Sequence, residues 1–171
     1  MEFRKAVSSD LTSIMLIIQQ AQSFLRQQGI DQWQNGYPNR EIIDADISQE
    51  QAYVISDGTA IAAYGVVSFE PEPTYAIIYN GEWLNNERYA VIHRLAVNTL
   101  YRNQQLAGRY LQEAQKLCIK HQVYNIRIDT HELNQIMQHV LAKQGYRCCG
   151  EIFLTIGAKR IAFHKTLSVQ D

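Results

Sequence analysis

The sequence predicts an α/β fold, one mixed sheet flanked by helices, and three observations carry that prediction. Apolar residues at helical spacing alternate along the chain with short strand-like runs rich in Val, Ile and Tyr. No internal repeat, low-complexity stretch or Pro/Ser linker divides the chain. Its 171 residues suffice for one domain with a substantial apolar core. Residues 1–171 are therefore read as a single domain.

Each element follows from local chemistry. A strand from Phe3 to Val7 leads to Ser8-Ser9-Asp10, side chains that cap a helix, and Leu11, Ile14, Ile17, Ile18, Ala21 and Leu25 then fall on one helical face. That helix should run from about Leu11 to Gln28. Gly29, Asn35-Gly36 and Pro38 break the chain into a loop carrying Trp33 and Tyr37, before a second helix from about Arg40 to Gln51. Tyr53-Val54-Ile55 and the run from Ile61 to Val67 read as strands joined across Asp57-Gly58, a pair suited to the positive φ of a tight turn. A further strand is expected from Tyr75 to Tyr79 and another from Tyr89 to Val97. The chain continues as a helix from Leu106 to His121, a strand from Tyr124 to Asp129, a helix from Asn134 to Lys143 stopped by Gly145, and two closing strands, Tyr146 to Leu154 and Arg160 to Leu167.

Composition excludes several functions. Sixteen basic and seventeen acidic residues leave a formal charge of −1, so no broad positive field exists to hold nucleic acid or an anionic membrane. The N-terminus is charged from Glu2 onward and no apolar window reaches the length of a span, which predicts a cytoplasmic protein. The three cysteines, Cys118, Cys148 and Cys149, include no pair spaced to share a metal, and adjacent thiols point to opposite faces of a strand, so free thiols and no metal are expected.

The chemistry concentrates in the segment from His93 to Gly108, where a strand, a short basic loop and a helix start follow one another. The first turn of a helix presents amide N–H groups without intrahelical partners and a partial positive charge, and a diphosphate accepts hydrogen bonds there readily. Arg102 adds a full charge beside Asn103, Gln104, Gln105, Leu106, Ala107 and Gly108. This segment resembles the coenzyme-A-binding motif of the GNAT superfamily: Arg or Gln, two residues, Gly, one residue, then Gly or Ala. Arg102 and Ala107 match, whereas Gln105 stands at the first glycine and puts a Cβ where backbone normally approaches phosphate. A register through Gly108 fails because Tyr110 would fill the small-residue position.

The resemblance extends over nearly the whole chain in the order of elements, and Asn134, Met137, Lys143, Gly145 and Tyr146 resemble the family's later signature. It implies a mostly antiparallel twisted sheet of six or seven strands with about four helices, and acetyl-coenzyme A as cosubstrate. It also implies Asn134 on the pantetheine arm and the backbone of Leu95, Ala96 and Val97 on the pantetheine and thioester.

An ammonium with a pKa near 10.4 needs roughly 4 to 5 kcal/mol to lose its proton at neutral pH, so an amine acceptor calls for a base. His93 is the first candidate: two residues before Leu95, it shares that residue's face on an ideal strand. A histidine on this strand also resembles the arylalkylamine acetyltransferases. Asp129-Thr130-His131 is the second cluster, with helix capping as the plainer account of Asp129 or Thr130. The family's general-acid tyrosine falls at Leu141, leaving Tyr146 or Tyr101 as substitutes, or no acid, since a thiolate with a pKa of about 8.5 leaves tolerably well. Trp33 and Tyr37 lie in the loop that closes over the acceptor in the family, although covering the core is the simpler role for Trp33. Glu70 and Glu72 could meet a cationic acceptor. The expected partners are acetyl-coenzyme A and an amine of a small molecule or peptide, with no nucleic acid and no membrane, and a homodimer is allowed. A non-catalytic coenzyme-sensing domain is the alternative that Gln105 and Leu141 leave open.

Overall fold

The computed structural model describes residues 1–102 and 104–168. Strands β1 (Glu2–Lys5), β2 (Ala52–Ser56), β3 (Ile61–Ser68), β4 (Ala90–Val97), β5 (Asn125–Thr130), β6 (Arg147–Phe153) and β7 (Lys159–Thr166) form one sheet in the order β1-β2-β3-β4-β5-β7-β6. The helices are α1 (Leu11–Gln27), α2 (Arg40–Ser48), α3 (Leu106–Lys120) and α4 (Gln135–Lys143). Among the described residues no helix is long and apolar enough to cross a membrane.

The chain resolves into two compact units, and β4 and α3 each contribute to both. The first comprises Met1–Val67 and Arg94–Tyr110. Here β1, β2 and β3 pair antiparallel as a meander, with Phe3 opposite Ile55 and Val54 opposite Tyr64. Ile14, Ile17 and Ile18 of α1 and Ile43 and Ile47 of α2 pack with Val54, Val66 and Ala96 in one buried cluster. Each such side chain contributes about 1.5–3 kcal/mol by leaving water. Gly65 of β3 has a steric reason: a Cβ there would lie 2.7 Å from Cζ of Tyr110, whose ring is completely buried.

The second unit comprises Ser68–His93 and Leu111–Asp171. In it β4 runs parallel to β5, with Ala90 opposite Ile126 and Val91 opposite Arg127, and β7 pairs antiparallel with both β5 and β6. Tyr75, Val91, Ile152 and Ala162 form its core, with Trp83 and Tyr89 packed against it. Gly81 carries no side chain because a Cβ would fall 1.9 Å from the Cys149 carbonyl oxygen.

The strand expected from Tyr75 to Tyr79 is not formed. Pro73 has a fixed φ and no N–H, and Pro73–Tyr75 is a single 3-10 turn capped by Glu72, whose carboxylate accepts from the Thr74 backbone N–H at 3.1 Å. Tyr79 makes one isolated antiparallel bridge with Glu151. The second helix stops at Ser48, shorter than expected. Cys148 is exposed and Cys149 buried, as adjacent strand residues should be, and all three thiols are free. Burial pushes the Cys118 thiol up to about 12, far from a reactive thiolate.

Candidate active site

In the first unit β4 ends at Val97, and a single 3-10 turn, Thr99–Tyr101, leads to α3. The turn is held by its own sequence. Asn98 Oδ1 accepts the Leu100 N–H at 3.0 Å, Asn98 Nδ2 donates to the Ile61 carbonyl at 3.0 Å, and Gln20 of α1 takes the Thr99 N–H at 3.0 Å. The Tyr101 hydroxyl donates to the Asp57 carboxylate, and that bond is the first cause holding Asp57 well below the usual carboxylate range. The phenol proposed by sequence as a substitute acid therefore already has an acceptor.

Arg102 is exposed and lines, with Leu16, Gln20, Ser23, Phe24 and Thr99, an open groove of about 400 Å³. Asn103 lies outside the described residues. Gln104 and Gln105 are exposed, Leu106 and Gly108 are buried, and Ala107 is half-buried. Gln105 has φ 54, the left-handed conformation that glycine adopts freely and an L-residue at a cost of about 1–2 kcal/mol. Gln105 thus stands in a conformation that a glycine at this position would adopt freely. The Gln105 carbonyl accepts the Arg109 N–H at 3.0 Å, so the helix begins immediately after Gln105.

Leu95 and Ala96 bury their side chains at 8% and 5% exposure, which leaves backbone as what they can offer a ligand. The expectation that His93 shares the face of Leu95 is corrected. Arg94 has φ 56 in the middle of β4, and the alternation of faces breaks there: His93 and Arg94 are both half-buried, Leu95 and Ala96 both buried.

In the second unit His93 Nε2 lies 3.3 Å from Glu72 Oε2, each side chain being 23% exposed. The other Glu72 oxygen accepts from the Thr74 N–H and hydroxyl. His93 is the leading cause, and the Thr74 bonds a further one, of the Glu72 carboxyl standing at about 2. Sequence reading had given Glu72 to a cationic ligand and missed this pairing, which no spacing rule announces. Nε2 is the ring nitrogen that faces the carboxylate.

Asp129 caps no helix. Its Oδ2 accepts from the Tyr75 hydroxyl at 2.7 Å and its Oδ1 lies 4.0 Å from Arg160 Nε; burial raises its pKa against those partners. The Thr130 hydroxyl is buried without a partner. Asn134 is the N-cap of α4, its Oδ1 accepting the Met137 N–H at 3.1 Å. Leu141 is completely buried, and Tyr146 is buried too, its phenol pushed well up by desolvation.

The loop aromatics divide in role. Trp33 packs on the core cluster of the first unit, whereas Tyr37 is exposed and its hydroxyl accepts a hydrogen bond from Arg94 Nη1. Arg94 also grips Asp46 of α2 with two bonds, Nη2 to Oδ1 at 2.6 Å and Nε to Oδ2 at 2.8 Å. Burial works against that guanidinium's charge, and Tyr37, Asp46 and Tyr64 more than offset it. Glu70 is exposed, with its N–H on Ser68 Oγ.

The family model of the GNAT acetyltransferases matches residues 18–146. A crystal structure of a GNAT-family acetyltransferase from Streptococcus agalactiae is 40% identical with a TM-score of 0.88, covering 98% of this chain and 95% of that one. A GNAT-family acetyltransferase from Listeria monocytogenes shares the fold at 20% identity and a TM-score of 0.74, over 97% and 94% of the two chains. So does a ribosomal-protein-alanine N-acetyltransferase from Brucella melitensis, at 14% identity and 0.71, over 98% and 100%. No protein of curated function matches the chain in sequence.

Proposed function

This chain belongs to the GNAT acetyltransferase family, a family of acyltransferases, and on that premise we propose that it moves an acetyl group from acetyl-coenzyme A to a primary amine by direct attack in a ternary complex. The acceptor is an amine of a small molecule or peptide, the reaction is cytoplasmic, and residues 1–171 act as one catalytic domain. The feature that carries the reading is the opening of α3: exposed Arg102, left-handed Gln105, and a helix start that puts Leu106, Ala107 and Gly108 in the first turn, whose amides a helix leaves without intrahelical partners. Arg102, Gln104 and these amides, with Asn103, are assigned to the diphosphate, Leu95 to Val97 to the pantetheine and thioester through backbone, and Asn134 to the pantetheine arm beside its capping bond. Bound there, the thioester supplies an activated acyl carbon and a leaving thiolate.

His93 acts as the base. Its Nδ1 takes a proton from the acceptor ammonium, directly or through water, and Glu72 stabilises the imidazolium and fixes the ring. Backbone N–H donors at Leu95 to Val97 hold the oxyanion that develops at the carbonyl. Asp129, tied to Tyr75, contributes negative potential near the base. Tyr146 is assigned to no proton transfer in this reading: a buried phenol raised above its ordinary value is a weaker acid than the thiol it would have to serve. Tyr37 and Glu70 are assigned to the acceptor, with Trp33 supporting the loop from the core. The sensing alternative is disfavoured because Gln105 retains the backbone conformation expected of its glycine counterpart.

Titration calorimetry with coenzyme A and with acetyl-coenzyme A, together with thiol release over a panel of primary amines, tests the proposal. Binding that disappears in Arg102→Glu, and thiol release that depends on an amine, are expected. Tight binding with no amine-dependent release would sink the enzymatic reading in favour of sensing.

A further inference from the structure

Arg94 follows His93 directly, and φ 56 is an unusual conformation for an arginine inside a strand. A strand residue in that region ends the two-residue alternation, and restoring an extended φ would carry the side chains beyond it to the opposite face. Something must hold it there. The guanidinium reaches Asp46 through two parallel bonds of 2.6 and 2.8 Å and donates a third to the Tyr37 hydroxyl. Asp46 is fixed in turn: its Oδ2 also accepts from the buried Tyr64 hydroxyl at 2.7 Å, and its neighbours Ile43 and Ile47 anchor α2 in the core. The side chains of Arg94 and Asp46 are 13% and 7% exposed, so water competes little for either. Only a planar fork satisfies a carboxylate bidentately while keeping a further N–H for a phenol.

We propose that Arg94 is the positioning residue of β4. Its grip on Asp46 keeps residue 94 left-handed and so sets the direction of the Leu95 to Val97 end of the strand; the same guanidinium docks Tyr37 of the loop before α2. The inference deepens the acyl-transfer reading and rests on it for its catalytic half, while the backbone half stands on the geometry of the first unit.

Arg94→Lys tests both. Lysine keeps the positive charge beside Asp46, and with it the fold, but offers a point donor in place of the fork. A crystal structure of the variant is expected to show φ at position 94 back in the extended region. Acetyl transfer should fall on the order of 10- to 100-fold, the effect of a small misplacement of reacting groups, while the dissociation constant for adenosine 3′-phosphate 5′-diphosphate, which lacks the pantetheine arm, changes less than about threefold because the diphosphate is assigned to the start of α3 and not to β4. Asp46→Asn should reproduce the pattern more severely. A purely structural role would lower the melting temperature of both variants and leave kcat at the unaltered value, and that result, or a φ still near 56 in both, overturns the proposal. Should the unaltered protein bind no coenzyme A, the acyl-transfer reading fails and takes the catalytic half with it; φ at position 94 then decides the backbone half alone.

Discussion

Replacing Gln105 by glycine should stabilise the protein and tighten its hold on coenzyme A. Gln105 pays about 1–2 kcal/mol for φ 54, because its Cβ crowds the following carbonyl oxygen. Glycine escapes that cost and gives back about 0.4–1 kcal/mol through the greater freedom of its unfolded chain. The side chain is exposed, so little packing is lost, and the Gln105 carbonyl that accepts the Arg109 N–H is unchanged. The net gain is about 0.5–1 kcal/mol, or about 1–4 °C in melting temperature for a chain of this size. Removing the Cβ also lets a diphosphate approach the backbone more closely, and a gain of about 0.4–1.4 kcal/mol would lower the dissociation constant by about two- to tenfold. Urea unfolding and titration calorimetry measure the two effects, with Gln105→Ala as the control that keeps the backbone cost and shortens the side chain. A glycine variant that melts lower, or binds coenzyme A more weakly than the parent, would refute the reasoning and make the glutamine side chain itself a ligand.

Three further outcomes follow from the geometry. His93→Gln should lower kcat with a primary amine about 10²–10⁴-fold, and Glu72→Gln should lower it less, both read by thiol release, with coenzyme A binding left intact by calorimetry. Arg102→Ala should weaken coenzyme A binding with a loss that shrinks as salt is raised, measured by calorimetry at two ionic strengths. His164 is completely buried and held near 4 by desolvation first and then by the Arg127 charge; Leu84 N–H donates to its Nδ1, and its Nε2 donates to Asn125. Because its folded pKa lies below its unfolded value near 6.5, its contribution is present above pH 6.5 and is lost as pH falls towards 4, up to about 3 kcal/mol. Urea unfolding between pH 7 and 4 should show that loss, and His164→Gln should flatten it.

The order of strands and helices, the start of α3 after Arg102 and the helix that opens at Asn134 were legible in the sequence because each depends on contacts between residues a few positions apart. Apolar spacing, capping side chains and turn dipeptides act locally and leave their mark in adjacent letters. The stretch from Tyr75 to Tyr79 misled for the same reason: its aromatic composition favours a strand, but Pro73 and the Glu72 cap commit the chain to a turn first. The face shared by His93 and Leu95 was an inference from an ideal period that Arg94 interrupts.

Sequence alone determined what the chain is built from and that a basic residue precedes the start of α3, since both are contiguous features. Tertiary structure decided how the reactive side chains are supplied with partners. Asp46 meets Arg94 across 48 positions and Tyr75 meets Asp129 across 54, and Glu72 finds His93 only once β4 and the turn before it have folded. Burial and charge pairing set the character of these groups, and both are properties of packing that no periodicity along the chain encodes.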